Sequence, residues 1–491
     1  MNHSHSRLRW IPLALSCALS CTLPSRGGDP WPQWRGPAGD GSTDARNLPL
    51  TWSLETGENI VWKTELPSWS GSTPIIWGDR IFLMSPSKPE AGNAAVNLPA
   101  SGTMVFGQQA PPQQPAGGAG QGRSRGGGGG RGFGGGGFGR GVSNPGGQTL
   151  LLLCLSKKDG SLLWQGELDQ GNRLWNKGNN TSPSPVTDGK HVWAVTGNGV
   201  ITAFDMEGKE VWTKSLQKEY GAFGHNWGYG CSPLLVDGKL VVEVLHGMRT
   251  DDPSYVVAFD ALSGKELWRQ ERPTDAPRES PDAYTTPALL VHEGKKQVVI
   301  TGADYVTGHD LDTGKELWRA AGLNPRKASN YRIVPSPVVK DGMIYAPTRI
   351  QPLLALRAGG VGDITTSHLA WKSEDGNGPD VPTPVCDGKF FYMVNDRGLV
   401  TCLDAKTGQR VYGPQGTADG TVSASPLLAG DRIYILNEQA VTTVIAAGPE
   451  FKVLATNKLD GSYTLSSFAV SGDQLFVRTS THLYCLGKKA S

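Results

Sequence analysis

The chain has 491 residues, and its 47 lysine and arginine residues almost balance its 45 aspartate and glutamate residues. A net charge of only +2 excludes the global field that marks binders of nucleic acids or strongly acidic substrates, so we expect no nucleic-acid partner. The high counts of glycine (66), proline (34) and tryptophan (15) are typical of a chain with many turns and a recurring aromatic position.

Residues 1–28 have the layout of a bacterial export signal peptide. Arg7 and Arg9 precede an apolar stretch with small residues, which is too short to remain as a transmembrane helix. We therefore expect an exported protein in the periplasm or associated with the outer membrane. Cys21 ends a sequence similar to a lipobox, so the alternatives are lipid modification of Cys21 and plain cleavage of the signal. An N-terminal lipid would be the membrane contact.

Two segments lie outside the repeat pattern described below. Residues 29–58 form a lead rich in proline and glycine, without strand periodicity, which we expect to pack against the outside of the fold. Residues 86–148 form a Gly/Arg-rich insertion whose composition predicts a disordered loop. Its arginine-glycine runs resemble RNA-binding segments, but a surface tether is the interpretation that suits an exported protein.

One pattern recurs through residues 59–486. Ala258 and Asp260 lead into a turn at Gly264, and Trp268 follows on the next strand. Related copies end at the aromatic residues Trp164, Trp212, Trp318 and Tyr412, and Trp371 is a further outer-strand tryptophan that closes a blade. A second marker is a Ser/Thr-Pro pair that opens an apolar run. Its copies are Thr73-Pro74, Ser184-Pro185, Ser232-Pro233, Thr286-Pro287, Ser336-Pro337, Thr383-Pro384, Ser425-Pro426 and the degenerate Ser467-Phe468.

From Pro185 onward the markers recur every 42 to 54 residues, which is the length of one four-stranded propeller blade. Eight markers therefore predict an all-β, eight-bladed β-propeller with four-stranded blades. The C-terminal blade lacks its last strand, and we expect the strand around Trp62 to complete it and so close the ring.

Five cysteines remain beyond the signal. Cys154, Cys402 and Cys485 share one repeat position that Ala203 and Ala258 hold in sister copies, so small, buried, free thiols are favoured over a disulfide or a metal site. The chain has no CxxC or CxxCH motif, which excludes the usual zinc and c-type haem sites. His309 holds a position that is phenylalanine elsewhere, and a packed histidine is favoured over a ligand.

The turn-and-tryptophan pattern resembles the docking repeat of the pyrroloquinoline quinone (PQQ)-type eight-bladed propellers of exported bacterial proteins. That superfamily includes periplasmic quinoprotein dehydrogenases and the non-catalytic, BamB-like lipoproteins of outer-membrane assembly. The resemblance implies that the tryptophans of the outer strands are structural and pack between neighbouring blades. In this chain they are Trp62, Trp164, Trp212, Trp268, Trp318 and Trp371.

For the dehydrogenases, the resemblance implies PQQ stacked between a tryptophan and a disulfide of adjacent cysteines, beside a calcium ion held by Glu and Asn or Asp. This chain has no adjacent cysteines and no haem motif. We therefore expect no cofactor and no metal, and PQQ with calcium belongs to the alternative hypothesis.

In a propeller, the loops that enter the innermost strands surround the mouth of the axial hole, where ligands bind. In each blade, the residue five positions before the second residue of the Ser/Thr-Pro marker is expected at this mouth. These residues are Trp69, Asn180, Gly228, Asp282, Arg332, Pro379, Thr421 and Tyr463. Loop 224–230 adds His225, Asn226, Trp227 and Tyr229, which could stack on and hydrogen-bond a planar ligand. The alternative is a long surface loop whose side chains satisfy one another. Asp282 and Arg332 could form a structural ion pair or a substrate clamp.

No catalytic constellation stands out in the sequence. The leading hypothesis is a monomeric, non-catalytic scaffold of the cell envelope that binds a protein or a small ligand at a propeller face. The alternative is a PQQ-dependent oxidoreductase of alcohols or sugars, with Asn180, Trp227 and Arg332 as cofactor contacts.

Overall fold

The computed structural model describes residues 30–89, 144–350, 352–374 and 377–489. The predicted signal with Cys21, and residues 90–143 of the predicted insertion, lie outside these ranges. The described chain is almost entirely β-structure, with one short helix, Leu216–Tyr220. Within the described ranges, no helix has the length and apolar character needed to cross a membrane.

Eight antiparallel sheets of four strands form the blades of a propeller. The first strands of neighbouring blades contact one another around the axis. The strands of blades 1 to 4 are Ile75–Trp77, Arg80–Pro86, Thr149–Ser156 and Leu162–Gln170; Val186–Thr187, His191–Val195, Val200–Asp205 and Glu210–Ser215; Leu234–Val236, Lys239–Val244, Tyr255–Asp260 and Glu266–Glu271; and Ala288–His292, Lys295–Gly302, Tyr305–Asp310 and Glu316–Ala321.

The other four blades have the same order. Their strands are Val338–Lys340, Met343–Ala346, Leu353–Arg357 and Leu369–Ser373; Val385–Cys386, Phe390–Val394, Leu399–Asp404 and Arg410–Gly416; Leu427–Ala429, Arg432–Leu436, Val441–Ala446 and Val453–Lys458; and Ala469–Ser471, Gln474–Arg478, His482–Leu486 and Ile60–Glu65. Short extra strands are Ser42–Thr43 beside blade 7, Gly362–Asp363 beside blade 4, and the pair Leu174–Trp175 and Gly178–Asn179.

The closing strand, Ile60–Glu65, pairs antiparallel with His482–Leu486, and Trp62 lies opposite Cys485. The backbone N–H of Gly487 donates to the carbonyl of Asn59 at 2.9 Å, so the two ends of the propeller meet. This confirms both the predicted number of blades and the predicted closure, in which the closing strand covers the edge that His482–Leu486 would otherwise expose.

A ring of hydrogen bonds, here called the belt, joins all eight blades at the axis. Each backbone N–H of the eight marker Ser/Thr residues donates to the hydroxyl of the marker in the next blade, at 2.8–3.2 Å. The last member, Ser467, donates to the hydroxyl of Thr73 and so completes the circle. The belt explains why the sequence marker repeats a hydroxyl residue: each blade needs one acceptor for a backbone group of its neighbour.

The belt supports a prediction about stability. In a Ser425→Ala variant the backbone N–H of Thr383, now 2.9 Å from the Ser425 hydroxyl, loses its acceptor. An unpaired buried N–H costs about 1–3 kcal/mol, so we expect the free energy of unfolding to fall by that amount. Ser425→Thr is the matched control, because threonine already serves at three belt positions. Chemical denaturation measures both variants, and equal stability of the alanine variant and the wild type would contradict the prediction.

The outer-strand tryptophans join each blade to the next one. The indole N–H of Trp62, for example, donates to the carbonyl of Lys157 in blade 1 at 3.0 Å. The same bond to the following blade is made by Trp164, Trp212, Trp268 and Trp371, at 2.9–3.0 Å. Each of these rings packs on the turn glycine of that blade, where an added Cβ would lie within 2.7 Å of a ring atom. A positive φ and this close approach together require glycine there.

Trp318 differs from the other five predicted docking residues. Its indole N–H donates to Gln297 in its own blade at 2.7 Å, and the side chain is only 2% exposed. The residue opposite Trp318 is Gly308, where sister blades have alanine or cysteine. An added Cβ on Gly308 would lie 2.1 Å from the Trp318 ring. The missing side chain lets the indole N–H bond within its own sheet instead of donating to a carbonyl of blade 5, although Trp318 still packs in one core cluster with blade 5 residues.

The five cysteines within the described residues are free and buried, which confirms the prediction of core thiols. His309 is also buried, with its two ring nitrogens 3.1 Å from the Gly314 carbonyl and 3.0 Å from the Thr307 hydroxyl. Burial lowers the pKa of His309 to about 4. It is therefore a neutral, packed residue, as predicted.

The first part of the lead does not pack against the outside of the fold, so that expectation is wrong for it. Residues 30–58 are here called the axial segment. Residues 30–43 cross one end of the hole between the blades, and the rest continues along blade 7 as far as Asn457 on its outermost strand. Trp31 exchanges two backbone hydrogen bonds of 2.8 Å with Ile76 in blade 1, and the carbonyl of Pro32 accepts from Thr187 in blade 2. Ser42–Thr43 pairs with the innermost strand of blade 7. Inner strand ends present unpaired backbone groups, and the axial segment supplies their partners.

Candidate functional site: the axial cavity

A cavity of about 250 Å³ lies at the propeller axis. Seven of the eight belt residues line it, all except Ser336. The axial segment pairs with residues that come after the belt residue of their blade in the sequence, such as Ile76 and Leu428. The loops that carry Trp227 and Arg332 come before the belt residue of their blade. The segment and these loops therefore lie at opposite ends. One end is closed, with the indole of Trp34 in the cavity wall, and the other forms a mouth.

A small hairpin reaches across this mouth. The rim hairpin consists of Leu174–Trp175 and Gly178–Asn179 in the entry loop of blade 2. At its tip, the Lys177 ammonium donates to Glu438 at 2.9 Å and to Ser423 at 3.1 Å, both in blade 7. The Glu438 side chain is fully buried, so this ion pair is shielded from solvent on one side. The hairpin thereby connects two blades that are not neighbours.

The indole of Trp175 forms part of the cavity wall and is held in place on two sides. Its N–H donates to the Asn180 side chain at 2.7 Å. Its ring packs on Gly228, where φ is +75° and an added Cβ would lie 2.4 Å from the indole. The Arg173 guanidinium lies 4.0 Å from the ring centroid, a cation–π contact. Trp175 is therefore a rigid part of the wall.

Loop 224–230 owes its shape to one buried carboxylate. Asp282 accepts the backbone N–H of Asn226 at 2.7 Å and that of Met248 at 3.0 Å. Burial raises the pKa of Asp282 to about 6. The loop presents Trp227, whose backbone N–H donates to Tyr284 and whose indole N–H donates to Glu279 at 2.8 Å. Although both of its N–H groups are bonded, the Trp227 side chain is 42% exposed.

His225 of the same loop is buried inside blade 3. Its ring lies 5.7 Å from the rings of Tyr229, His246 and Tyr284. Burial, followed by the effect of His246, lowers the pKa of His225 to about 3. The imidazole is therefore neutral at physiological pH and supports the loop from behind.

The opposite side of the mouth carries a group of charged residues. Arg332 lies 3.5 Å from Asp380, and Arg349 lies 3.9 Å from the same carboxylate. Asp396 accepts the backbone N–H groups of Asp380 and Val381, and burial raises the pKa of Asp396 to about 6. Arg332 thus pairs with the next blade and not with Asp282.

The predicted site residues fall into two groups. Trp227, Tyr229 and Arg332 line the cavity. The other five support residues that line it, and they are Trp69, Asn180, His225, Asn226 and Asp282. The sequence analysis missed Trp34, Trp175 and Lys177. The alternation at the rim hairpin spans only two residues on each side, too few to stand out as strands.

The cavity does not fit a calcium–quinone centre. Calcium takes six to eight oxygen ligands, with carboxylates among them. Asp380 is the acidic side chain that lines the cavity, and two arginines approach it. Within the part of the chain that the structure describes, no group of three His, Cys, Asp or Glu side chains could hold a metal. The free cysteines also provide no disulfide on which a quinone could stack.

A buried carboxyl behind the cavity wall yields a pH prediction. Glu243 is fully buried, and burial raises its pKa to about 8. The Thr285 hydroxyl lies 2.6 Å from Glu243 and 2.8 Å from the Thr301 carbonyl, but it has one proton, so a protonated Glu243 can donate to it. Because the pKa of Glu243 is higher in the folded protein than in the unfolded chain, the protonated side chain contributes stability at low pH. This contribution is lost as the pH rises through about 8.

We expect Glu243→Gln to abolish that loss. The variant should match the wild type near about pH 5 and exceed its free energy of unfolding by about 1–3 kcal/mol near about pH 9. Denaturant titrations at the two pH values measure this difference, and Glu450→Gln on the exposed surface is the control. A parallel fall of both proteins with pH would refute the assignment.

Comparison with known proteins gives a family match and several similar solved structures. The family model described as outer membrane protein assembly factor BamB matches residues 149–413 and 363–491. No curated protein matches the chain. BamB from Moraxella catarrhalis is 15% identical, with a TM-score of 0.51, and the match covers 70% of this chain and 92% of that chain.

Quinohemoprotein alcohol dehydrogenases have the same fold. The enzyme from Comamonas testosteroni is 9% identical, with a TM-score of 0.58, and the match covers 94% of this chain and 81% of that one. The enzyme ADHIIG from Pseudomonas putida HK5 is 11% identical, with a TM-score of 0.50 and coverages of 88% and 76%. At these identities the likeness concerns the fold alone. The family match spans most of the propeller, and the chain belongs to the family of outer membrane protein assembly factor BamB.

Proposed function

We propose that the protein is a non-catalytic binding module of the bacterial cell envelope, exported to the periplasm or the outer membrane, whose ligand enters the axial cavity. The observation that carries this proposal is the one-ended cavity. The axial segment closes one end, and the other has an aromatic wall whose indoles are held by hydrogen bonds. Pre-positioned side chains favour binding, because little conformational entropy is lost when the ligand arrives.

The charged groups at the mouth support binding over turnover. Lys177 is paired with Glu438, and Arg332 with Asp380. A general base needs a free, suitably placed group within reach of the substrate, and the paired side chains do not supply one. His225 is buried behind the wall. The family match and the predicted signal support a place in the envelope, where the ligand would be a small molecule or a segment of an envelope protein.

Calorimetry with fractions of a bacterial envelope extract tests the proposal. The fractions are neutral glycans, acidic glycans and peptides, each titrated into the purified protein. We expect saturable binding of one class, lost in Trp227→Ala and retained in Val361→Ala, which changes an exposed residue outside the cavity. Absence of binding by every fraction would overturn the proposal. So would saturable dye reduction with alcohols or sugars after addition of PQQ and calcium.

A further inference from the structure

We propose that the ligand of the axial cavity is a neutral carbohydrate, with one sugar ring held between the aromatic wall and the belt. This inference rests on the proposed function and names the class of its ligand. Three properties of the cavity carry it: the aromatic faces, the hydroxyl ring and the balance of charge.

The first property is the concentration of aromatic faces in one small space. Trp34, Trp175 and Trp227 line the cavity together with Tyr229 and Tyr284. Trp227 keeps much of its surface exposed although two hydrogen bonds hold it, so a face remains free in a defined orientation. The face of an indole is electron-rich and attracts the slightly positive C–H groups on the flat side of a sugar ring.

The second property is the belt. Each belt hydroxyl accepts one backbone N–H and still has its own proton to donate. Seven of these hydroxyls line the cavity, so many weak donors and acceptors converge on one place. A ligand with hydroxyl groups around a ring can exchange hydrogen bonds with such a surface in both directions, as a sugar does.

The third property is the pairing of the charged side chains that line the cavity. Each cation that lines the cavity is matched by an acid, Lys177 by Glu438 and Arg332 by Asp380. The group extends to Arg349 and Asp396, which are again one cation and one acid. An anionic ligand would lose its hydration without gaining an unpaired cation, which is costly. A neutral polar ligand avoids that cost.

The dimensions agree with a single ring. A cavity of about 250 Å³ is larger than the roughly 150 Å³ cavity that suffices to bind benzene, which is also a six-membered ring. That space holds one pyranose ring, so the remainder of an oligosaccharide would extend out of the mouth past the rim hairpin. We therefore expect the cavity to recognise the end of a glycan chain.

Isothermal titration of the full chain with a panel of neutral gluco-, manno- and galacto-oligosaccharides tests the inference. The expected result is saturable binding of a panel member, with an affinity that changes little with added salt. Trp227→Ala should weaken it at least about tenfold, Trp227→Phe should retain most of it, and Val361→Ala should leave it unchanged. Circular dichroism and the melting temperature show that each variant is folded.

The companion ligands are an oligogalacturonate and a peptide mixture from envelope proteins. Binding of the acidic glycan or the peptides without any neutral saccharide would overturn the carbohydrate inference and leave the binding function intact. Failure of every ligand, including the envelope fractions, would overturn both. Neutral binding that Trp227→Ala does not affect would place the saccharide elsewhere and also overturn the inference.

Discussion

A chain that begins at Leu66 will lose its cooperative unfolding transition, whereas a chain that begins at Asn59 will keep it. Both truncations remove the axial segment, but only the shorter chain also loses the closing strand. That strand provides the ladder to His482–Leu486 and the Trp62 indole that packs on blade 1. Several hydrogen bonds at about 1 kcal/mol each and a tryptophan at about 3 kcal/mol give an expected loss of about 5 kcal/mol or more.

Matched denaturation curves and size-exclusion chromatography of the two truncations measure the effect. The shorter chain leaves His482–Leu486 as an unpaired edge, so we also expect it to associate through that edge. Trp62→Ala in the full chain is a milder variant with the same direction of change. If the two truncations had equal stability, blade 8 would not depend on the closing strand, and the closure would not contribute to the stability of the propeller.

Replacement of Arg35 by alanine will release the axial segment from the propeller. The Arg35 side chain is 3% exposed, and its guanidinium donates to the carbonyls of Thr383, Pro384 and Asp40. Burial lowers its pKa to about 10, because a buried site disfavours the charged form, and the three carbonyls provide hydrogen-bond acceptors for that charge. We expect a loss of about 2–5 kcal/mol in the free energy of unfolding.

Limited proteolysis gives the more direct measurement, because residues 30–58 should become cleavable in Arg35→Ala while the blades stay intact. Arg35→Lys should behave similarly, since one ammonium group cannot replace a planar guanidinium that bonds three carbonyls. Arg46→Ala is the control on the same segment, where the side chain is exposed. Equal protection of the segment in Arg35→Ala and Arg46→Ala would show that Arg35 does not hold it.

The fold could be predicted because its information is local and repeated. A hydroxyl residue before proline occurs seven times, with Ser467 as a degenerate eighth copy, and a turn glycine lies four residues before a tryptophan in four blades. Both motifs mark contacts between neighbouring blades, and their repetition makes the pattern visible. Closure by the strand of Trp62 followed from a count of strands. Trp318 shows the limit, because its orientation depends on Gly308, a single residue on the neighbouring strand.

The site could be predicted only in part because it depends on long-range contacts. Position in the repeat predicted that Arg332 and the loop of Trp227 lie near the axis, and both line the cavity there. It could not show that Lys177 reaches Glu438, 261 residues away, or that Trp34 lies in the cavity wall. The lead has no repeating pattern from which its position could be predicted. Its path depends on backbone groups of several blades, which come together only when the propeller is assembled.

The hydrogen bond between Asn59 and Gly487 has a consequence for engineering. Because these two points touch, a short glycine linker could join them, and new termini could be opened in an exposed connection such as the one around Val361. Such a circular permutant would carry all eight blades in a different chain order. The axial segment could be left out of such a permutant, and the effect of an open second end of the hole could then be studied in an otherwise unchanged ring.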